Sequence, residues 1–228
     1  MNKQTVYQAL ERQMLGYADL VDVAVSDDGE SLVPLVETPA LVAHQLRAEM
    51  LPITGRQIYV RQTVRERLGQ ASLQLQAAGL QLQVGYGYRA LSVQRANFAR
   101  QRDRLRGTVP EASLNEAAHR CVAVPEIAGH PTGGAVDVRP LVADQPADCG
   151  TAMWEFVPDS YTFSPFIGRQ QRDTRLLLRA AMTAAGFAPF DGEWWHFSYG
   201  DKEWARYYEQ PAAVYQQLEF STPAEPQV

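Results

Sequence analysis

Nowhere does this chain run to the eighteen or so consecutive apolar residues that a membrane-spanning helix needs. Its first twenty residues, MNKQTVYQALERQMLGYADL, also lack the uninterrupted apolar core and small-residue cleavage site of a secretory signal. The expectation is a soluble, cytoplasmic protein with no membrane partner. Cysteine is scarce. Cys121 and Cys149 are too few and too far apart for a Cys-x-x-Cys metal knuckle, and a reducing compartment argues against a bond between them. Both read as structural residues. Positive charge is in deficit, with 21 Lys and Arg against 26 Asp and Glu for a formal net charge of -5, and the basic residues are scattered along the chain. That balance gives no reason for a nucleic-acid partner. No segment marks an obligate protein partner, so a small molecule or a peptide is the expected substrate.

What is present is an ordinary globular composition, 46% hydrophobic and 21% charged over 228 residues. That suffices for one sizeable core and reads as one domain, residues 1–228, with a frayed Pro-containing tail over 221–228. Residues 3–15 are expected to be helical, and the acidic stretch 26–30 an exposed loop. Residues 63–78 combine helix formers with apolar residues near helical spacing, and Gly79 stands where a helix commonly ends. Leu80, Leu82 and Val84 then alternate with Gln81 and Gln83, as in a half-buried strand. The Arg- and Gln-rich residues 92–106 predict a solvated helix, and 115–120 a shorter one. Asp173 is the expected cap of a helix through Ala185, with Leu176, Leu177, Leu178, Ala181 and Met182 as its buried face and Gly186 as its stop. The aromatic, alternating residues 194–199 predict a central strand. Strands interspersed with helices, without repeat or regular βαβ period, predict an α+β fold, a compact domain whose central, mainly antiparallel sheet is flanked by helices.

Two compact clusters carry side chains that a zinc ion accepts. The first is His130-Pro-Thr-Gly-Gly-Ala-Val-Asp137. On a straight strand, residues seven apart point to opposite faces, so both reach one metal only if the chain turns between them, and Gly133 and Gly134 allow that turn. Ala135, Asp137 and Arg139 then face one way along a strand, with Val136 and Val138 anchoring it from behind. The second cluster is Asp191-Gly-Glu-Trp-Trp-His196-Phe-Ser-Tyr199, where Glu193 stands at the entrance of the strand that carries His196. Two His plus one carboxylate leave a fourth tetrahedral position open, the pattern of catalytic rather than structural zinc. Glu193 then suits a general base, and the chemistry is amide hydrolysis. Arg89, in Val-Gly-Tyr-Gly-Tyr-Arg, is the best-placed cation for the oxyanion of such a reaction. His44 and His119 stand outside any such pattern and read as ordinary partly buried histidines.

These residues resemble the D-alanyl-D-alanine dipeptidases, zinc enzymes of the wider D-Ala-D-Ala metallopeptidase group. His130, Gly133, Ala135 and Asp137 match the His-x-x-Gly-x-Ala-x-Asp motif, Glu193 to His196 the Glu-x-Trp-His signature, and Gly87-Tyr88-Arg89 the Gly-Tyr-Arg element. The resemblance, from about Tyr59 to Tyr199, implies one zinc per chain on His130, Asp137 and His196, with Glu193 as base and Arg89 on the transition state. It implies a small D-amino-acid dipeptide as substrate, best D-Ala-D-Ala, and a role in cell-wall precursor turnover. The chain departs from the family pattern at Ala128, where Ser is usual, and at Ala90, where Pro is usual. The family's acidic anchor for the substrate's amino terminus has Glu155 as its nearest counterpart. These departures concern the substrate pocket rather than the metal. Two other readings remain: a D,D-carboxypeptidase or peptidoglycan endopeptidase of the same group, and a non-catalytic zinc-binding module.

Overall fold

The computed structural model describes residues 2–221, so all of the expected tail except Ser221 lies outside the described residues. In chain order the strands are β1 (Leu32–Pro34), β2 (Leu41–Ala43), β3 (Tyr59–Arg61), β4 (Gln81–Tyr86), β5 (Ala135–Val142), β6 (Gln145–Pro146), β7 (Ala188–Pro189) and β8 (His196–Ser198). The helices are α1 (Lys3–Glu11), α2 (Tyr17–Leu20), α3 (Leu51–Thr54), α4 (Gln62–Ala77), α5 (Leu91–Leu105), α6 (Leu114–His119), α7 (Arg169–Ala184) and α8 (Lys202–Tyr207). The expected α+β fold is present. Its larger sheet has the order β2-β4-β5-β8-β7, with β6 hanging on β5. This sheet is mixed: β2 runs parallel to β4, while the pairings of β5 with β4, β6 and β8, and of β7 with β8, are antiparallel. β1 and β3 form a separate antiparallel pair.

Helix α4 packs on this sheet through Val64, Leu68, Ala71 and Leu75, a stripe at three- and four-residue spacing. Val84 of β4, Val136 and Val138 of β5 and Phe197 of β8 meet it in one core with α7. A second cluster, Leu20, Phe98, Ala118, Val124 and Ile127, gathers α2, α5 and α6. Leu20 and Ile127 of this second cluster line one small cavity, together with Trp154, which packs against the main core.

Three expectations about local structure are corrected. Helix α1 stops at Glu11 rather than residue 15, because the amides of Gln13 and Met14 turn back to Leu10 and Glu11. Helix α7 begins at Arg169 rather than behind an Asp173 cap. Gln171 reaches back to accept from the Gly168 amide at 2.7 Å and so closes the first turn. Its buried stripe is Arg175, Leu178, Ala181 and Met182, while Leu176 and Leu177 are 37% and 38% exposed. The Leu run was a poor guide because Arg175 is buried with its charge satisfied: it donates to the carbonyls of Cys149, Asp159 and Tyr161. The strand expected over 194–199 is shorter, because Trp194 and Trp195 lie in the turn that leads into β8.

Cys121 and Cys149 are both free, the latter buried in the main core. Among the described residues, no helix is long and apolar enough to cross a membrane.

Candidate metal centre

Strand register builds the site. β5 places Asp137 opposite His196 of β8 on one side and opposite Tyr86 of β4 on the other. The pairing with β4 shifts between Val84 and Tyr86, which brings Tyr86 into line with Asp137 at the end of the sheet. His130 enters from the turn before β5. Gly133 there has φ 75, and a Cβ at Gly134 would lie 2.3 Å from the Tyr199 carbonyl oxygen. The tight passage expected of these two glycines is thus required by both backbone conformation and space.

One ligand atom from each of His130, Asp137 and His196 lies within 4.8 Å of the other two. His130 Nδ1 donates to the Gly87 carbonyl at 2.8 Å, which leaves Nε2 as the ring's lone-pair atom, 3.4 Å from Asp137 Oδ1. His196 Nδ1 is 3.0 Å from that same Oδ1. The other carboxylate oxygen, Oδ2, accepts from the indole N–H of Trp154 at 2.8 Å. Two imidazole nitrogens and one carboxylate oxygen therefore converge on a common point, with His130 and Asp137 each oriented by an outer partner. This donor set fits zinc.

The electrostatics point the same way. Burial would push Asp137 up, but His130 and His196 beside it hold it well below the usual carboxylate range. Burial takes His130 down to about 4, against the pull of Asp137. Burial also opposes charge on His196, yet its hydrogen bond to Asp137 and the carboxylates of Asp137, Glu203 and Glu193 lift it to about 9. Without metal, the site thus holds a proton between His196 and Asp137, where a cation would otherwise balance the carboxylate.

Glu193 sits on a turn in which its amide donates to Phe190 O at 3.0 Å and its carbonyl accepts from His196 N at 3.1 Å. That turn sets the half-buried carboxyl on the cavity that also borders the three clustered residues. Burial raises it to about 8, helped by the charges of Asp137 and Glu203 and opposed by His196 and Arg89. A divalent cation at the cluster would reverse that balance and favour the carboxylate. Arg89 borders the same cavity. Its Nε donates to Tyr86 OH at 3.0 Å and its Nη1 to Gln94 Oε1 at 2.7 Å, and the guanidinium lies 4.7 Å from the Tyr86 ring centre. Neutral partners fix this cation without neutralising it.

Glu155 does not join the group. It is exposed, accepts from the Ala152 amide at 3.0 Å, and is absent from the cavity wall. Ala128 does line the cavity, whereas Ala90 is packed in a third apolar cluster with Met50, Tyr86 and Tyr88.

Sequence reasoning missed Trp154, which adopts φ 66 in a loop, a conformation that a bulky residue rarely takes. It also missed Glu203, whose Oε2 lies 3.9 Å from His196 Nε2. The signal for Glu203 was the Asp201 N-cap: Asp201 accepts from the Trp204 amide and the Ser198 hydroxyl, and so starts α8 directly behind His196. Burial together with Asp201 raises Glu203 to about 7.

Residues 43–217 match the family model described as D-ala-D-ala dipeptidase. The chain is 33% identical over 231 residues to a D-alanyl-D-alanine dipeptidase of Synechocystis sp., covering 87% of this chain and 93% of that one. Among solved structures it is similar to the LD-carboxypeptidase LdcB, with a TM-score of 0.48 and 18% identity over 81% of this chain and 74% of that chain. It is also similar to VanY, a vancomycin-resistance D,D-pentapeptidase in complex with Zn(II), with a TM-score of 0.42 and 20% identity over 68% and 82% of the two chains.

Proposed function

The chain belongs to the D-Ala-D-Ala dipeptidase family of zinc metallopeptidases, and on that premise we propose that it hydrolyses D-alanyl-D-alanine or a similar short D-amino-acid peptide, with His130, Asp137 and His196 as the ligands of one zinc. Zinc bound there supplies Lewis acidity, lowering the pKa of a water and polarising the scissile carbonyl. The remaining work belongs to side chains. Glu193 takes the proton of the attacking water and delivers it to the leaving amine. Arg89, held by Tyr86 and Gln94, offsets the charge that develops on the carbonyl oxygen. Trp154 and the Gly87 carbonyl keep Asp137 and His130 in their ligating orientations.

The observation that carries this reading is the convergence of the three-residue cluster, Glu193 and Arg89 on one cavity of about 80 Å³. The D-alanyl-D-alanine dipeptidase of Synechocystis sp. matches this chain over most of both lengths, which favours a dipeptide over a peptidoglycan stem. The D,D-carboxypeptidase reading therefore comes second. The placement of Glu193 and Arg89 speaks against a non-catalytic zinc module. The whole of 1–228 acts as one peptidase unit, without nucleic-acid or membrane partners, in cell-wall precursor turnover.

Zinc-loaded protein is to be assayed on D,D-, L,D- and L,L-dipeptides beside the Glu193→Gln variant. Release of alanine from D-Ala-D-Ala is expected, with kcat falling 10²- to 10⁴-fold in the variant while zinc content stays near one per chain. Metal-loaded wild type that cleaves no D,D-dipeptide refutes the substrate assignment.

A further inference from the structure

Past Arg89 the catalytic cavity borders a groove of about 510 Å³ whose walls carry Arg47, Arg89, Arg100 and Arg104. Arg89, Cys121, Val122, Trp154 and Phe156 line both spaces, so the two are continuous. Four guanidinium groups on one groove depart from the character of a chain with net charge -5.

Helix α5 explains how they gather. Asn97, Arg100, Gln101 and Arg104 recur at three- and four-residue spacing and all line the groove. Elsewhere on and beside the same helix two arginines have carboxylate partners: Arg102 pairs with Glu111 at 3.0 Å, and Arg106 with Asp103 at 3.4 Å. On the groove face, Arg100 meets the neutral Asn97 side chain. Among the described residues, no carboxylate pairs with Arg89, Arg100 or Arg104. Arg47 does pair with Glu49 at 2.9 Å, and its guanidinium lies 5.0 Å from the Trp154 ring centre, which fixes it on the wall shared with the catalytic cavity.

At the inner end of the cleft Asp137, Glu193 and Glu203 stand around the cluster and offer acceptor oxygens to an N–H donor. A peptide's ammonium end suits that inner end, and its carboxylate end suits the arginines. The terminal carboxylate of a dipeptide needs only the near rim. Arg100 and Arg104, about 6 Å apart along the helix axis, extend farther than one residue of about 3.5 Å requires. Resting on the hydrolytic reading above, we infer that the groove is a subsite for a second carboxylate carried on the leaving-group side. The substrate class then extends to dipeptides whose second residue is acidic, of the D-Ala-D-Glu kind.

The test compares kcat/KM for D-Ala-D-Glu and D-Ala-D-Ala in zinc-loaded wild type, Arg100→Ala/Arg104→Ala and Arg100→Glu/Arg104→Glu. The acidic-to-neutral ratio is expected to fall about tenfold in the alanine pair, the size of two partly screened charge contacts, and further in the glutamate pair. A ratio that stays within twofold in both pairs overturns the subsite. Calorimetric binding of D-Ala-D-Glu to zinc-loaded Glu193→Gln protein, with and without the glutamate pair, separates the two readings. If wild type cleaves neither peptide but the glutamate pair weakens binding, the hydrolytic reading falls and the subsite stands. Binding indifferent to the glutamate pair overturns the subsite whatever the activity.

Discussion

Zinc binding by this protein should be a proton-releasing reaction, and most of the protons come from two side chains. In the metal-free site His196 is lifted to about 9, once the hydrogen bond and charge of Asp137 outweigh its burial. Glu193 is raised to about 8, chiefly by burial. At pH 7 the first is about 99% protonated and the second about 90%. A metal ion needs the His196 Nδ1 lone pair, and its charge favours the Glu193 carboxylate. His130 at about 4 and Asp137 well below the carboxylate range have no proton to give. These two account for about 1.9 protons for each zinc bound at pH 7, and Glu203, raised to about 7 beside His196, adds a fraction of one as the metal's charge favours its carboxylate. The sign follows: groups protonated only in the free form make binding tighten as pH rises. Log K should climb by about two per pH unit near 7, by about one between 8 and 9, and level off above about 10. Competition calorimetry against a chelator, in buffers of different ionisation enthalpy, counts these protons directly. Glu193→Gln should release about one fewer. A wild-type value below one, or a variant that matches wild type, would show that the proton between His196 and Asp137, or the one on Glu193, has been misplaced.

Arg89→Ala should lower kcat on D-Ala-D-Ala about 10²- to 10³-fold in steady-state assays, with zinc content unchanged. Arg89→Lys should restore only part of that, because a lysine cannot hold Tyr86 OH and Gln94 together. Glu203→Gln should weaken zinc affinity about tenfold in chelator competition, since a carboxylate behind His196 Nε2 favours the tautomer that ligates through Nδ1. An unchanged affinity would leave Glu203 without a part in the centre. Gly134→Ala forces a Cβ to 2.3 Å from the Tyr199 carbonyl and should cost about 3 kcal/mol, read as a fall in Tm of about 6–12 °C. A Tm within 2 °C of wild type would mean that the turn yields.

The residues of the candidate centre were legible in the sequence because each sits in a short pattern whose chemistry is local. His130 and Asp137 are joined by a glycine turn, and Glu193 and His196 by a tight turn at a strand's entrance. Much of the fold was legible for the same reason: α4, β4 and β5 follow the spacing of their apolar residues. Side chains that support the ligands were not. Trp154 reaches Asp137 from a loop at positive φ, and Glu203 reaches His196 by a reversal through Gly200, so tertiary placement alone brings them in. The arginines looked scattered because their neighbours on α5 include Asp103 and exposed positions. Only the helix's direction, set by burial of Gln94 and Phe98, turns Arg100 and Arg104 to one groove.

That division bears on how such a site changes its substrate. The ligands and Glu193 hang on β5, β8 and the turns beside them, where the core behind Val136, Val138 and Phe197 resists displacement. Arg100 and Arg104 stand on the solvated face of α5, whose buried residues are Gln94 and Phe98. Changes on that face cost little stability. Yet Gln94 both anchors α5 through the Ala123 carbonyl and holds the Arg89 guanidinium. The same helix thus fixes the cation proposed to act on the oxyanion and displays the two proposed to select among substrates. Charge on its outer turns can vary without disturbing the metal, so specificity can drift while the hydrolytic machinery stays intact.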